Sequence, residues 1–144
     1  MIHGQGEHRY RVVPEWPKWD GVPVRNGHGL VFDRSGYLHL LTDHPETNLV
    51  TLDPLTGKVQ HRANLGLSGA HGLSIVDEGR RQVLYCTCLE THQVLKTTLT
   101  GEVLARWGWP RESGRYAGAA EYKPSWTLHL PDGGFCVLDG YGKD

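Results

Sequence analysis

Two histidines stand in the same tripeptide, His28-Gly29-Leu30 and His71-Gly72-Leu73, 43 residues apart in a chain of 144. Neutral imidazole is a ligand for zinc and similar metals, and a catalytic zinc commonly has three protein ligands and one open position. Histidines that a repeat delivers to one point would suit such a site. A plainer reading is also open: His-Gly is a structural element of the repeat, and each imidazole hydrogen-bonds backbone where its unit begins. The other seven histidines (His3, His8, His39, His44, His61, His92, His129) show no ligand spacing such as HExxH and read mostly as surface or strand positions. Cys86 and Cys88, two apart in a strand-like run, face the same way, so small buried thiols, a strained disulfide and a metal pair are all open there. With Cys136 they form an odd, sparse set unlike a disulfide framework. The chain has no GxSxG, no phosphate-binding loop and no dinucleotide fingerprint.

The elements that would position the two histidines also recur. Leu55-Thr56-Gly57-Lys58-Val59 returns as Leu99-Thr100-Gly101-Glu102-Val103, a step of 44 in the same register as the histidines. Between these landmarks run short β segments. Leu30 to Phe32, Tyr37 to Leu41, Leu49 to Leu52 and Lys58 to His61 make one unit; Leu73 to Val76, Gln82 to Leu89, Gln93 to Thr97 and Glu102 to Arg106 make the next. Four strands per unit of about 40 to 45 residues is the spacing of a propeller blade. The expected fold is therefore all-β: about two and a half four-stranded blades of a β-propeller plus an N-terminal outer strand. Blade 1 is placed at 26–66, blade 2 at 67–108, an inter-blade loop at 109–123 and the start of blade 3 at 124–144. Arg9 to Val13 reads as a strand with no hairpin partner close by, suited to the outer edge of a last blade. In a propeller the first strand of each blade lines the central channel, so His28 and His71 are expected to project toward the axis. The five tryptophans lie mostly beside prolines or glycines, which suits packing in loops better than a stacking platform.

Lys+Arg at 15 against Asp+Glu at 16 leaves a net charge of -1, with no basic field for a phosphate backbone. Nucleic acid is not an expected partner; a peptide, a small molecule and the remaining blades of the same propeller are. No apolar run approaches the roughly 20 residues that span a bilayer, and the opening MIHGQGEHRYRVVPEW is too polar for a signal peptide. The chain as it stands reads as cytoplasmic and membrane-free, or as secreted if its start is incomplete.

The run AHGLSIVDEGRRQVLYCTCLETHQVLK, followed after the long loop by KPSWTLHLPDGGFCVLDGYGKD, resembles the peptidyl-α-hydroxyglycine α-amidating lyases. These are six-bladed propellers with NHL-like blades that cleave a peptidyl-α-hydroxyglycine into a peptide amide and glyoxylate. The opening YRVVPEWPKWDG resembles the start of related bacterial propellers. The resemblance implies an NHL-type propeller in which His71 is one of three zinc-binding histidines. It further implies that the backbone carbonyl of Leu73 helps bind a calcium ion, and that Tyr141 is the catalytic tyrosine beside the zinc, its tyrosinate accepting the proton of the substrate hydroxyl. Three features depart from the family. Its other two zinc histidines belong to later blades. Its catalytic arginine belongs after the second strand of blade 1, where Leu41-Thr42-Asp43-His44-Pro45 stands, and its cysteine after the tyrosine is Gly142 here. The expectation is a propeller fragment inactive as a lyase by itself; a non-catalytic NHL propeller that presents loops to a protein or ligand is the alternative.

Overall fold

The protein's structure, a computed structural model, describes residues 2–143. Blade 1 is an antiparallel sheet of β3 (Gly27–Phe32), β4 (Leu38–His44), β5 (Thr47–Leu52) and β6 (Val59–Ala63), paired in sequence order. Blade 2 repeats it with β7 (Ala70–Glu78), β8 (Arg81–Cys88), β9 (Gln93–Thr98) and β10 (Val103–Trp107). Blade 3 begins with the pair β11 (Trp126–His129) and β12 (Phe135–Leu138). The first strand of blade 2 packs on β3 from one side and on β11 from the other, so the three first strands stand side by side. This is an arc of propeller blades and not a closed barrel.

Burial follows from that stacking. Every residue from Val83 to Cys88 of β8 is buried, because blade 2 is covered on both faces, whereas β6 and β10 at the outer edge stay partly or fully exposed. A sheet covered on both sides needs apolar or satisfied residues throughout rather than alternation. The largest core cluster fills the space between blades 1 and 2, with Leu41 and Leu49 from one sheet and Leu73, Leu84, Cys86 and Leu95 from the other. On the far face of blade 1, Leu38, Leu40, Val50 and Leu52 are capped by Trp19, Val22 and Val24 of the preceding segment. Asn48, fully buried, fixes the crossover into blade 2: its Oδ1 accepts the Leu65 and Leu67 N–H groups, each at 3.0 Å, and its Nδ2 donates to the Leu67 carbonyl at 2.9 Å.

One expectation changes, and two readings become more definite. The N-terminal strand has a hairpin partner immediately before it: β1 (Ile2–Gln5) pairs with β2 (His8–Arg11) in a separate two-stranded sheet with every residue exposed. The two-residue connection places Gly6 at φ 57, the geometry a tight hairpin requires. The polar composition of Ile2–Gln5 hides that strand from a reading based on apolar alternation. His39 is a strand position, as one of the two readings had it, and it is buried, its Nε2 3.0 Å from Asp33 Oδ2 and its Nδ1 3.1 Å from Thr51 Oγ1. Of the options for Cys86 and Cys88, the disulfide falls away. Both are free, buried thiols, and burial pushes Cys86 up to about 12. Among the described residues no helix is long and apolar enough to cross a membrane.

Candidate functional site

The repeated His-Gly-Leu can be taken apart residue by residue. A Cβ on Gly29 would strike the backbone and Cβ of Leu73, and one on Gly72 would strike the Ser125 carbonyl and Thr87 Oγ1. The missing side chain is what lets the first strand of each next blade approach. Leu73 is fully buried in the core between blades 1 and 2. Packing therefore accounts for the glycine and, in blade 2, for the leucine. It does not account for the histidines: His28 is exposed and His71 only half-buried.

The two imidazoles stack on each other, with ring centroids 4.9 Å apart and planes at 23°. Tyr141 meets His71 edge-on at 5.3 Å, its own ring mostly open to solvent. His71 Nδ1 lies 3.1 Å from the carbonyl oxygen of Ser125. A carbonyl only accepts, so this bond places the proton on Nδ1 and leaves the lone pair on Nε2. The backbone hydrogen bond of the plainer reading is thus present at His71, and it is also the bond that frees the other nitrogen for a ligand.

Ser125 organises the far side of the cluster. Its N–H and hydroxyl donate to the Leu138 carbonyl at 2.8 and 3.1 Å, and the Gly140 N–H donates to its Oγ at 3.2 Å. Asp139 ties the same segment to the 109–123 loop. It accepts the Tyr116 hydroxyl on Oδ2 and the Lys123 N–H on Oδ1, both at 2.7 Å. That bond to the carboxylate, together with partial burial, raises the Tyr116 phenol above its ordinary range. The loop, which contains the short 3-10 turns Arg111–Ser113 and Ala119–Glu121, therefore holds the strand end that carries Tyr141.

On the blade 1 side, Asp43 receives Arg25 Nε at 2.9 Å and the Asn26 N–H at 3.0 Å on Oδ1, and Asn26 Nδ2 at 3.0 Å on Oδ2. Arg25 Nη2 also reaches the Asp43 carbonyl at 2.9 Å, and His28 Nε2 stands 3.9 Å from Asp43 Oδ2. Burial works upward on this carboxyl, but the bonds from Arg25 and Asn26 outweigh it and hold the group at about 2. The segment after the second strand lacks an arginine of its own, yet Arg25 is delivered to it across the β3–β4 ladder. The register Gly27↔Thr42 sets 25–26 opposite Asp43, and that register was the signal by which Arg25 could have been found. Ser125 gave no such signal, because it acts through its backbone.

The structure brings His28, His71 and Tyr141 together and leaves the Leu73 side chain in the core, with its backbone opposite Cys86 of β8. Among the described residues, no three His, Cys, Asp or Glu side chains are grouped to hold a metal ion. No family model matches the chain, and no curated protein matches it.

Proposed function

We propose that the chain is an arc of an NHL-type propeller related to the amidating lyases, with His71 contributing one ligand to a zinc site on the axial face. The observation that carries this reading is the bond from His71 Nδ1 to the Ser125 carbonyl, beside a second imidazole and a phenol. Metal-binding histidines almost always donate their other ring N–H in this way, which fixes the tautomer and ring orientation. His71 offers one donor of the kind the group takes, since neutral imidazole nitrogen is a good zinc ligand, and the other ligands would have to come from outside the described residues. When bound, zinc would lower the pKa of a hydroxyl that it carries.

The chain's own residues divide the remaining work. His71 presents Nε2, with its ring held from behind by Ser125. Tyr141, open to solvent and edge-on to His71, would as its tyrosinate take a proton from a substrate hydroxyl, the role of a general base. Arg25, clamped by ionised Asp43, offers a fixed guanidinium edge near His28 to a carboxylate-bearing peptide end. Leu73 would give, through its backbone, one carbonyl oxygen of the six to eight oxygens that a calcium ion takes.

Zinc titrated into the chain and followed by the imidazole proton resonances tests the assignment. The His71 resonances are expected to respond first, and His71→Ala is expected to lose most of the bound zinc, while His61→Ala, remote from the cluster, keeps it. Equal zinc content in wild type and His71→Ala would refute the ligand role.

A further inference from the structure

The asparagines of the chain, Asn26, Asn48 and Asn64, stand in different surroundings. Asn48 is fully buried, is followed by Leu49, and spends its amide on the crossover into blade 2. Asn64 is exposed but followed by Leu65; its Oδ1 accepts the Gly66 N–H at 2.9 Å and its Nδ2 donates to the Pro45 carbonyl at 3.1 Å. Asn26 is exposed, lies just before β3 and is followed by Gly27. Its Nδ2 donates to Asp43 Oδ2 at 3.0 Å, and among the described residues its Oδ1 accepts no hydrogen bond. Gly27 has a packing reason of its own, since a Cβ there would stand 2.8 Å from Leu40 Cδ1. The same missing Cβ leaves the Gly27 nitrogen unscreened toward the Asn26 side chain.

An asparagine is thermally labile, and most so before glycine, where no Cβ crowds the five-membered ring that the next backbone nitrogen closes. We propose that Asn26 is a site of hydrolytic deamidation, a covalent modification that sets a second carboxylate against Asp43 and changes the charge at the mouth of blade 1. In the first step the Gly27 nitrogen bonds to Cγ of Asn26, the Cγ–Nδ2 bond breaks, and ammonia leaves with the Gly27 proton. Water then opens the ring at either carbonyl, giving aspartate or isoaspartate, with no electrons gained or lost. The place of the new charge gives it its effect. Arg25 and Asp43 are a neutral pair, and a carboxylate in place of the Asn26 amide leaves the group with a net negative charge. A hydrogen bond to Asp43 is thereby exchanged for repulsion between carboxylates, which draws the Arg25 guanidinium between them. Isoaspartate also adds a carbon to the backbone at the residue whose carbonyl accepts the Asp43 N–H at 3.2 Å, which disturbs the pairing at the start of β3. The modification uses neither His71 nor zinc, so it stands or falls independently of the axial site.

The folded 144-residue chain, incubated at mildly alkaline pH, is digested with trypsin, and the fragment 26–34 is followed by mass spectrometry with isoaspartate detection. Expected are conversion of Asn26 ahead of Asn48 and Asn64, and an acidic shift of a single charge in isoelectric focusing. Both are expected to be lost in Asn26→Gln, whose longer side chain must close a larger ring. Asn26→Asp carries the product from the outset, and its Arg25 Nε–H resonance is expected to shift from the wild-type position. Should that variant not fold, the same resonance is read in wild-type chain converted by the incubation. The proposal is overturned if Asn26 keeps its amide in the folded chain while it converts in the urea-unfolded one, because the fold then protects it. Conversion at Asn48 or Asn64 instead overturns it as well, and so does an Arg25 resonance that is the same before and after the change.

Discussion

Blade 2 meets a neighbour on each face, and the two interfaces are built from different materials. Toward blade 1 the core of the contact is aliphatic, with polar bonds such as Arg34 to Asp77 only at its exposed rim: Gly29 lets Leu73 in close, and Leu41, Leu49, Leu84 and Leu95 fill the rest. Toward blade 3 the first strands are joined by a polar triangle. Ser74 Oγ lies 2.7 Å from Thr127 Oγ1 and 2.9 Å from His129 Nε2, and Thr127 Oγ1 lies 3.1 Å from the same nitrogen. Aromatics surround it, with Tyr85 4.4 Å and Phe135 5.9 Å from His129, ring to ring, and Lys96 on Tyr85 at 5.9 Å. One interface is held by burial, which does not respond to protons. The other places an imidazole where, among the described residues, its charged form has no carboxylate partner.

The largest expected effect lies on the aliphatic side. Leu73→Ala removes a fully buried side chain from the centre of the cluster that joins the two complete sheets. A loss of about 2–5 kcal/mol in urea-unfolding free energy is expected, with the midpoint falling, since truncation forfeits both transfer and packing energy. A cost no greater than that of a hydroxyl on the polar side would break the comparison.

The polar side is expected to show a smaller loss of a different kind. Ser74→Ala removes one of two hydroxyls shared with His129 Nε2 and should cost about 1–2 kcal/mol, the usual price of a buried polar group losing a partner. Burial lowers the His129 pKa, so below the ordinary histidine range of about 6.5 the unfolded chain binds more protons than the folded one. The contribution of His129 is therefore fully present above about pH 6.5 and declines as the pH falls below it. Unfolding curves measured across that window should show the decline in wild type and its absence in His129→Gln. A pH-independent wild type there would show that the triangle does not select the neutral ring.

How much of this was legible follows residue by residue. The blades were, because two landmarks recur in one register and the glycine of each His-Gly-Leu, with Leu73 in blade 2, is a packing requirement where one blade meets the next. The contact between His28 and His71 follows from their equivalent positions on adjacent first strands. Three things were hidden for physical reasons. In the third unit Pro124-Ser125-Trp126 replaces the tripeptide, so the residue that orients His71 does so through a carbonyl that no side-chain pattern announces. Arg25 reaches Asp43 only through strand register. His39 was legible as a strand position in the run Tyr37 to Leu41 but not as a core residue, which it becomes because Asp33 and Thr51 satisfy both ring nitrogens.

The smallest effect is expected where neither interface is involved, at the mouth of blade 1. Asp43→Asn keeps the shape but loses the charge that binds Arg25 and Asn26; with the guanidinium side chain 57% exposed, a cost of about 1 kcal/mol or less is expected. Its value lies in the pH at which it acts. The folded carboxyl sits at about 2, against about 3.9 in an unfolded chain, so its contribution is present above about pH 4 and is lost as the pH falls toward 2. Wild type should then lose stability in two separate windows, one starting near 6.5 and one below 4. Asp43→Asn should lessen only the second, to which the lowered carboxyls of Asp53, Glu78 and Glu121 also contribute, as His129→Gln flattens only the first. If Asp43→Asn instead removed the decline that begins near 6.5, that decline would not come from His129, and the contrast between the two faces of blade 2 would fail.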